Sequence, residues 1–323
     1  MKFCVKKWLL PLLIVSPFCV SAQTKNTYPE KPIRIIVPFA AGGATDALLR
    51  LLQDPVSSSL GQPLVIENKG GAAGAIGARQ VANATPDGYT LLVTNTGLAA
   101  ITPYVQKNTG LDTLRSFSPV ARLTSAPSVL LVNSGVPANN IREFIDYAKA
   151  NPGKLEYAVV GKGAFGDLTT SLFASQAGIR MLPLSYQGNA QTTLALLSGE
   201  AKMQLTILSG SMNEHIREGK IKALGVATLT PSPLVPGIPL ISEVLPNFEA
   251  VVYTGLLAPA NTPPEIVDKL SLAFTNALSM PSVQQQLITM GMESAPMQAR
   301  DYATHIKREI DTFKPVISNL QTE

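Results

Sequence analysis

The strongest constraint on this chain is a recurring unit: a short apolar run, then a glycine-rich loop, then a helix. Ile33-Arg34-Ile35-Ile36-Val37 lies between Pro32 and Pro38. A five-residue run so rich in β-branched side chains reads as a buried parallel strand. Phe39-Ala40-Ala41-Gly42-Gly43-Ala44 follows as a loop. Thr45 or Asp46 then stands where a helix cap belongs, ahead of Leu48, Leu49, Leu52 and Val56 at helical spacing. Leu64–Glu67 is a second strand, Gly70–Gly77 a second glycine-rich turn into a short helix, and Tyr89–Thr94 a third strand.

The alternation continues. Helices are expected over Ile141–Ala150, Leu168–Ala177, Ala190–Leu197 and Met212–Glu218. Strands are expected over Tyr157–Val160, Met181–Leu184, Met203–Leu208 and Ile221–Val226. Two long amphipathic helices follow near Pro264–Leu278 and Tyr302–Leu320, and Pro231–Pro239 reads as a surface connection. Alternating βα units imply an α/β fold with parallel sheets and right-handed crossovers. About ten strands exceed one comfortable doubly wound sheet, so two sheets are expected. Ligands of such sheets sit beyond the carboxyl ends of the strands. The loops of interest are therefore Pro38–Asp46, Gly70–Gly77, Asn95–Ala99, Gly161–Asp167 and Ser185–Asn189.

The amino-terminal segment has another character. Lys2, Lys6 and Lys7 precede an apolar run from Trp8 to Phe18, broken by Pro11 and Pro17, and Val20-Ser21-Ala22 supplies small residues. This predicts a signal peptide over residues 1–22, cleaved after Ala22, and export to the periplasm. The residues before Cys19 form no lipobox, and no later run is long enough to span a bilayer. Cys4 and Cys19 both lie in the leader. The mature chain would then carry no cysteine, which excludes a disulfide scaffold, a thiol enzyme and a thiolate metal site. The formal charge is +4, and without the three leader lysines 23 basic residues face 22 acidic ones. Nucleic acid, which needs a concentrated basic footprint, is not an expected partner.

In Phe39–Asp46 small residues let a ligand approach the backbone, and the next helix points free N–H groups at it. That suits a carboxylate, although an ordinary tight βα turn accounts for the same residues. No Gly-Lys-Ser/Thr follows, so it is not a phosphate loop, and Gly70–Gly77 lacks dinucleotide spacing. Gly161-Lys162-Gly163-Ala164-Phe165-Gly166-Asp167 is a third such loop. There Asp167 either caps the helix or accepts a bond from the ligand, and Phe165 either stacks on a planar ligand or covers the cleft. The candidate ligand-binding residues are Phe39, Ala40, Ala41, Gly42, Gly43, Thr45, Asp46, Asn95, Thr96, Gly161, Gly163, Ala164, Phe165, Asp167 and Tyr186. His215 and His305 are both expected on solvated helix faces. No nucleophile elbow or metal-binding spacing occurs, so neither catalysis nor a cofactor or metal is expected.

These residues resemble the Bug family, the extracytoplasmic receptors of tripartite tricarboxylate transporters. The resemblance runs from Tyr28-Pro29-Glu30-Lys31-Pro32 through Asp46, then Leu60-Gly61-Gln62-Pro63, Glu67-Asn68-Lys69 and Pro86-Asp87-Gly88-Tyr89-Thr90. Ala150-Asn151-Pro152-Gly153, Gly255-Leu256-Leu257-Ala258-Pro259 and Ile266-Val267-Asp268-Lys269-Leu270 extend it. It implies a type II periplasmic-binding-protein (Venus flytrap) fold of two doubly wound lobes. Lobe 1 would hold residues 23–125 and 227–323 and lobe 2 residues 126–226, with hinge crossings near Thr124–Ala126 and Val226–Thr228. It further implies a monomer whose first and third glycine loops meet the ligand carboxylate, and membrane permease subunits as partners. A sensing receptor presenting solute to a sensor kinase is the alternative, and a periplasmic enzyme a third reading. The chain departs from the family pattern at Ala164–Asp167, where hydroxyl residues are usual, at Ile207, where aspartate is common, and at Ala75 in place of asparagine. These departures point to a more apolar cleft and a planar or aromatic monocarboxylate or amide.

Overall fold

The computed structural model describes residues 28–39, 41–105, 110–208 and 210–320. The leader reading and Ala40 lie outside them. Strand β1 (Ile33–Val37), helix α1 (Ala44–Leu60), β2 (Leu64–Asn68), α2 (Ala75–Ala82) and β3 (Thr90–Asn95) open the fold. Two short helical turns, α3 (Thr102–Val105) and α4 (Thr113–Ser116), lead into a long strand, β4 (Phe117–Asn133). Next come α5 (Ile141–Ala150), β5 (Leu155–Val160), α6 (Phe165–Ala177), β6 (Met181–Tyr186) and α7 (Asn189–Ser198). β7 (Met203–Ile207), α8 (Gly210–Arg217) and β8 (Ile221–Val226) follow. After a long connection, β9 (Val251–Pro259), α9 (Pro264–Leu278), α10 (Pro281–Thr289), β10 (Glu293–Gln298) and α11 (Ala299–Leu320) complete the chain.

The strands hydrogen-bond in the order β2-β1-β3-β9-β4-β7-β5-β6, with β8 and β10 also on β4. The outer pairs β1–β2, β1–β3, β5–β6 and β5–β7 are parallel, as the βα pattern predicts. Every pairing of β4 and β9 is antiparallel, so the sheets are mixed rather than wholly parallel. Local patterning did not reveal β4, because it is buried along nearly its whole length and shows no period. It joins two sheets. Through Pro127 it pairs with β9, and from Ser128 it pairs with β7.

Each sheet has its own core. Ile33, Ile35, Leu48, Leu52, Leu91 and Phe274 pack around the first. Leu130, Phe144, Tyr157, Phe173 and Phe248 pack around the second. Burying such side chains stabilises each set by roughly 1.5–3 kcal/mol per large residue. The connection after Val226 stays with the second set. Val235 joins one of its clusters, and Ile241, Leu245, Phe248 and Ala250 join its main core. Ser232 of the same connection also donates its hydroxyl to Glu293 Oε2 of β10 at 3.0 Å. The connection enters β9 at Val251, after Ile241, Phe248 and Ala250, which are almost wholly excluded from solvent on the second core.

A third cluster lies where the sets meet. Tyr302, Ile306, Ile310, Phe313 and Ile317 form one stripe of α11 and pack with Leu92, Leu257 and Leu168 of α6. His305 and Glu309 share that stripe at helical spacing. His305 is accordingly buried, only 3 % exposed, against the expectation of a solvated face. His215 is partly exposed, 3.4 Å from Glu218.

Candidate functional site

The first and third glycine loops are built alike. Gly42 takes a left-handed φ of 78° and Gly163 one of 74°, conformations that favour glycine. Open space surrounds both, so the backbone angle, not crowding, demands the glycine. The next residue is the helix N-cap in each case, Gly43 at φ −74°, ψ 169° and Ala164 at φ −77°, ψ 169°. Neither helix has a side-chain N-cap. Thr45, Asp46 and Asp167 lie inside the first turn instead, and both aspartates reach backwards.

Asp46 Oδ2 accepts the Gly42 N–H at 3.0 Å and Arg50 Nε at 2.9 Å. Arg50 first, and then the Gly42 amide, hold this carboxyl below the usual carboxylate range. Asp167 Oδ2 accepts the Gly163 N–H at 2.8 Å, while its Oδ1 accepts the Tyr157 hydroxyl at 2.8 Å. Asp167 is 1 % exposed, so its carboxylate is spent on fixing the turn. The first intrahelical bonds run from Ala47 N–H to Gly43 O and from Leu168 N–H to Ala164 O. The amides of residues 44–46 and 165–167 therefore have no carbonyl of their own helix to donate to. Each turn presents a row of N–H groups at the positive end of a helix dipole, worth about 0.3–1 kcal/mol for an anion at an exposed site.

The other candidates divide. Ala41, Gly42 and Gly43 are exposed, and Phe39 is half-buried with its carbonyl accepting Asn68 Nδ2 at 3.3 Å. Asn95 Oδ1 accepts the Leu98 amide at 2.9 Å. Thr96 is fully buried, and its hydroxyl donates to Val251 O and accepts the Tyr253 amide. It stitches the end of β3 to β9. Tyr186 packs against Ala158, Ala195 and Ala201. Gly161 has φ 82° and shapes the third loop. In the second loop, Gly77 marks a close approach of α2 to β1: a Cβ there would meet Lys69 O and the Pro38 ring at 3.0 Å.

A cavity of about 190 Å³ adjoins the third loop. Val160, Phe165, Gly166, Asn189 and Ile207 line it, with Ser128 and Val252 from the two connecting strands. Ser128 and Val252 went unnoticed in the sequence because β4 and β9 themselves did. The Phe165 ring lies edge-on to Phe313 of α11, with centroids 6.2 Å apart. It thus bridges the two structural sets as well as lining the cavity.

Two α/β sets joined through shared strands, with anion-suited helix ends on each, define a binding receptor of the periplasmic-binding-protein fold. Residues 48–322 match the family described as "Tripartite tricarboxylate transporter family receptor", and the chain belongs to that family, one of binding receptors rather than enzymes. It is 36 % identical to a UPF0065 protein of Bordetella pertussis over 304 residues, covering 93 % of each chain. It is 29 % identical to the protein BugT of the same organism over 306 residues, covering 93 % of this chain and 94 % of BugT. Among solved structures, the periplasmic binding protein BugD shares 32 % identity at a TM-score of 0.66, covering 92 % of this chain and 99 % of BugD. R. palustris Rpa4515 with adipate shares 30 % identity at 0.69, over 91 % of this chain and 98 % of its own. A ligand-free TctC solute-binding protein from Polaromonas shares 29 % identity at 0.80, over 90 % and 99 %. MatC from Rhodopseudomonas palustris, with bound malate, shares 31 % identity at 0.65, over 90 % and 100 %.

Proposed function

We propose that this receptor captures a small carboxylate between two lobes, one acid group lying between the amide rows of residues 44–46 and 165–167, for delivery to a tripartite tricarboxylate-type permease. The observation that carries this reading is the repeated turn: a left-handed glycine, an extended N-cap and a back-reaching aspartate, once on each set of strands. Lobe 1 then comprises the chain before Ser128 and after Ala250, and lobe 2 the segment between. β4 and the Ala250–Val251 step act as the hinge. Closure would bring the amide rows together, exclude water and strengthen each polar contact. Ligand drives that step only by its preference for the closed state.

The walls of the second-lobe cavity favour an apolar body on the ligand. Val160, Phe165 and Ile207 contribute no charge, and Asp167 turns inward. We therefore assign the ligand to flat or aromatic monocarboxylates, or their amides, and include export to the periplasm in the proposal. Calorimetric titration with benzoate, phenylacetate, malate and adipate tests the assignment. Aromatic acids are expected to bind at least about tenfold more tightly, roughly the 1–3 kcal/mol of one well-covered ring. Tighter binding of malate and adipate would overturn the aromatic assignment, and binding of none of the four would overturn the carboxylate reading.

A further inference from the structure

The cavity beside Phe165 does not end at Ile207. Asn189, Thr206 and Ile207 line both that cavity and a groove of about 460 Å³ between α7 and α8. The two spaces share a wall and follow one another along the carboxyl end of β7.

Helix α7 carries more apolar surface than the core uses. Ala195 and Leu196 are buried and pack towards β5 and β4. Ala190, Leu194 and Leu197 recur at i, i+4 and i+7 and make a second apolar stripe on another face. That stripe lines the groove, opposite Met212 of α8. Leu194 is 65 % exposed and Ile207 36 %. A grouped apolar surface of this kind marks a ligand groove or an interface. Its continuity with the cavity beside Phe165 favours the ligand.

The polar groups of the groove are uncharged or already engaged. The Thr193 hydroxyl donates to Asn189 O at 2.9 Å, and His215 Nδ1 lies 3.4 Å from Glu218 Oε2. Asn189, Thr206 and Ser211 are neutral residues. A second ligand carboxylate would meet no cation among the described lining residues except His215, which Glu218 already faces. An aliphatic chain would instead lie on Leu194, Leu197 and Ile207.

We propose that the groove is a tail subsite, which takes an aliphatic chain on the end of the ligand opposite its acid group. The acid lies at the amide rows, the ring beside Phe165, and the tail passes Ile207 to run between α7 and α8. The assignment rests on the carboxylate reading of the cleft and narrows its ligand to tailed monocarboxylates, of which para-alkyl benzoates are the simplest probes.

The test is calorimetric titration of the full chain with benzoate and its 4-methyl, 4-propyl and 4-pentyl derivatives. A fully buried methylene tightens binding about fourfold, equivalent to about 0.8 kcal/mol. The exposure of Leu194 leaves the groove open to solvent, so about twofold per methylene is expected, and at least about tenfold from benzoate to 4-pentylbenzoate. The pentyl compound should also displace benzoate. Leu194→Gln keeps a good helix former at an exposed position. It should cut the pentyl-to-benzoate ratio by at least about threefold and leave benzoate within about twofold of the parent. Circular dichroism checks that the variant is folded. Affinity that stays flat or falls along the series while benzoate binds overturns the tail subsite and leaves the carboxylate reading standing. An undiminished ratio in folded Leu194→Gln does the same. Binding of none of the four overturns the tail subsite together with the aromatic assignment.

Discussion

Replacing Asp167 with alanine removes two acceptors at once, the one used by the Tyr157 hydroxyl and the one used by the Gly163 amide, both at 2.8 Å. Hydrogen bonds to a carboxylate contribute about 1.5–3 kcal/mol each, and a buried donor left without its acceptor costs about 1–3 kcal/mol. Tyr157 is buried, whereas Gly163 is partly exposed and its amide can turn to water. The expected loss for Asp167→Ala is therefore about 2–4 kcal/mol, weighted towards the tyrosine. Asp167→Asn retains one acceptor oxygen and should lose about half of that. Tyr157→Phe should lose about 1 kcal/mol, with a coupling to Asp167 of similar size in a double-mutant cycle. Urea denaturation at constant slope measures all of these. Carboxylate affinity of Asp167→Asn, measured below its transition, should change by less than about threefold, because the side chain faces the turn and not the cleft. Unchanged stability combined with a tenfold loss of affinity would show that Asp167 contacts the ligand and that its inward bonds are incidental.

Other expectations follow from the same contacts. Burial lowers His305 to about 3, with Arg122 and Arg308 adding to the effect, while burial raises Glu309 to about 8. The Glu309 contribution is complete below about 4.5 and is lost as pH rises towards 8; that of His305 is complete above about 6.5 and is lost as pH falls towards 3. Unfolding free energy in urea should thus be flattest between about pH 4.5 and 6.5, falling on both sides by an amount on the order of a few kcal/mol. Glu309→Gln should remove the alkaline limb and extend the acid limb, from His305 alone, up to about pH 6.5. A Cβ at Gly255 would overlap the Tyr302 hydroxyl and lie 2.9 Å from Ala121 O, so Gly255→Ala should cost about 2–3 kcal/mol, partly relieved by Tyr302→Phe in chemical denaturation. Arg50→Ala should leave the urea midpoint nearly unchanged, since Arg50 is well exposed, yet NMR titration should show the Asp46 carboxyl moving back towards its ordinary range.

Much of the site could be read from local sequence. The left-handed turns at Gly42 and Gly163 need glycine whatever surrounds them, so the two loops declared themselves. The helix starts were misplaced by a few residues at most, because an aspartate in the first turn that reaches back looks, in sequence, like an aspartate at the cap. The fate of Phe165 could not be read, since its partner Phe313 stands far along the chain. Nor could the burial of His305, which depends on which stripe of α11 meets β9.

What the sequence alone determined is the set of features with a local cause: strands closed by proline, turns that require glycine, amphipathic periods and the family resemblance. What tertiary structure decided is everything carried by β4 and β9. A strand buried along nearly its whole length has no polar face to mark it, and its antiparallel partners lie far away in sequence. That non-local pairing joins the two sheets, keeps the connection up to Ala250 with the second core, and sets two locally encoded turns within one receptor. Local chemistry wrote the turns; the burial of two long strands placed them.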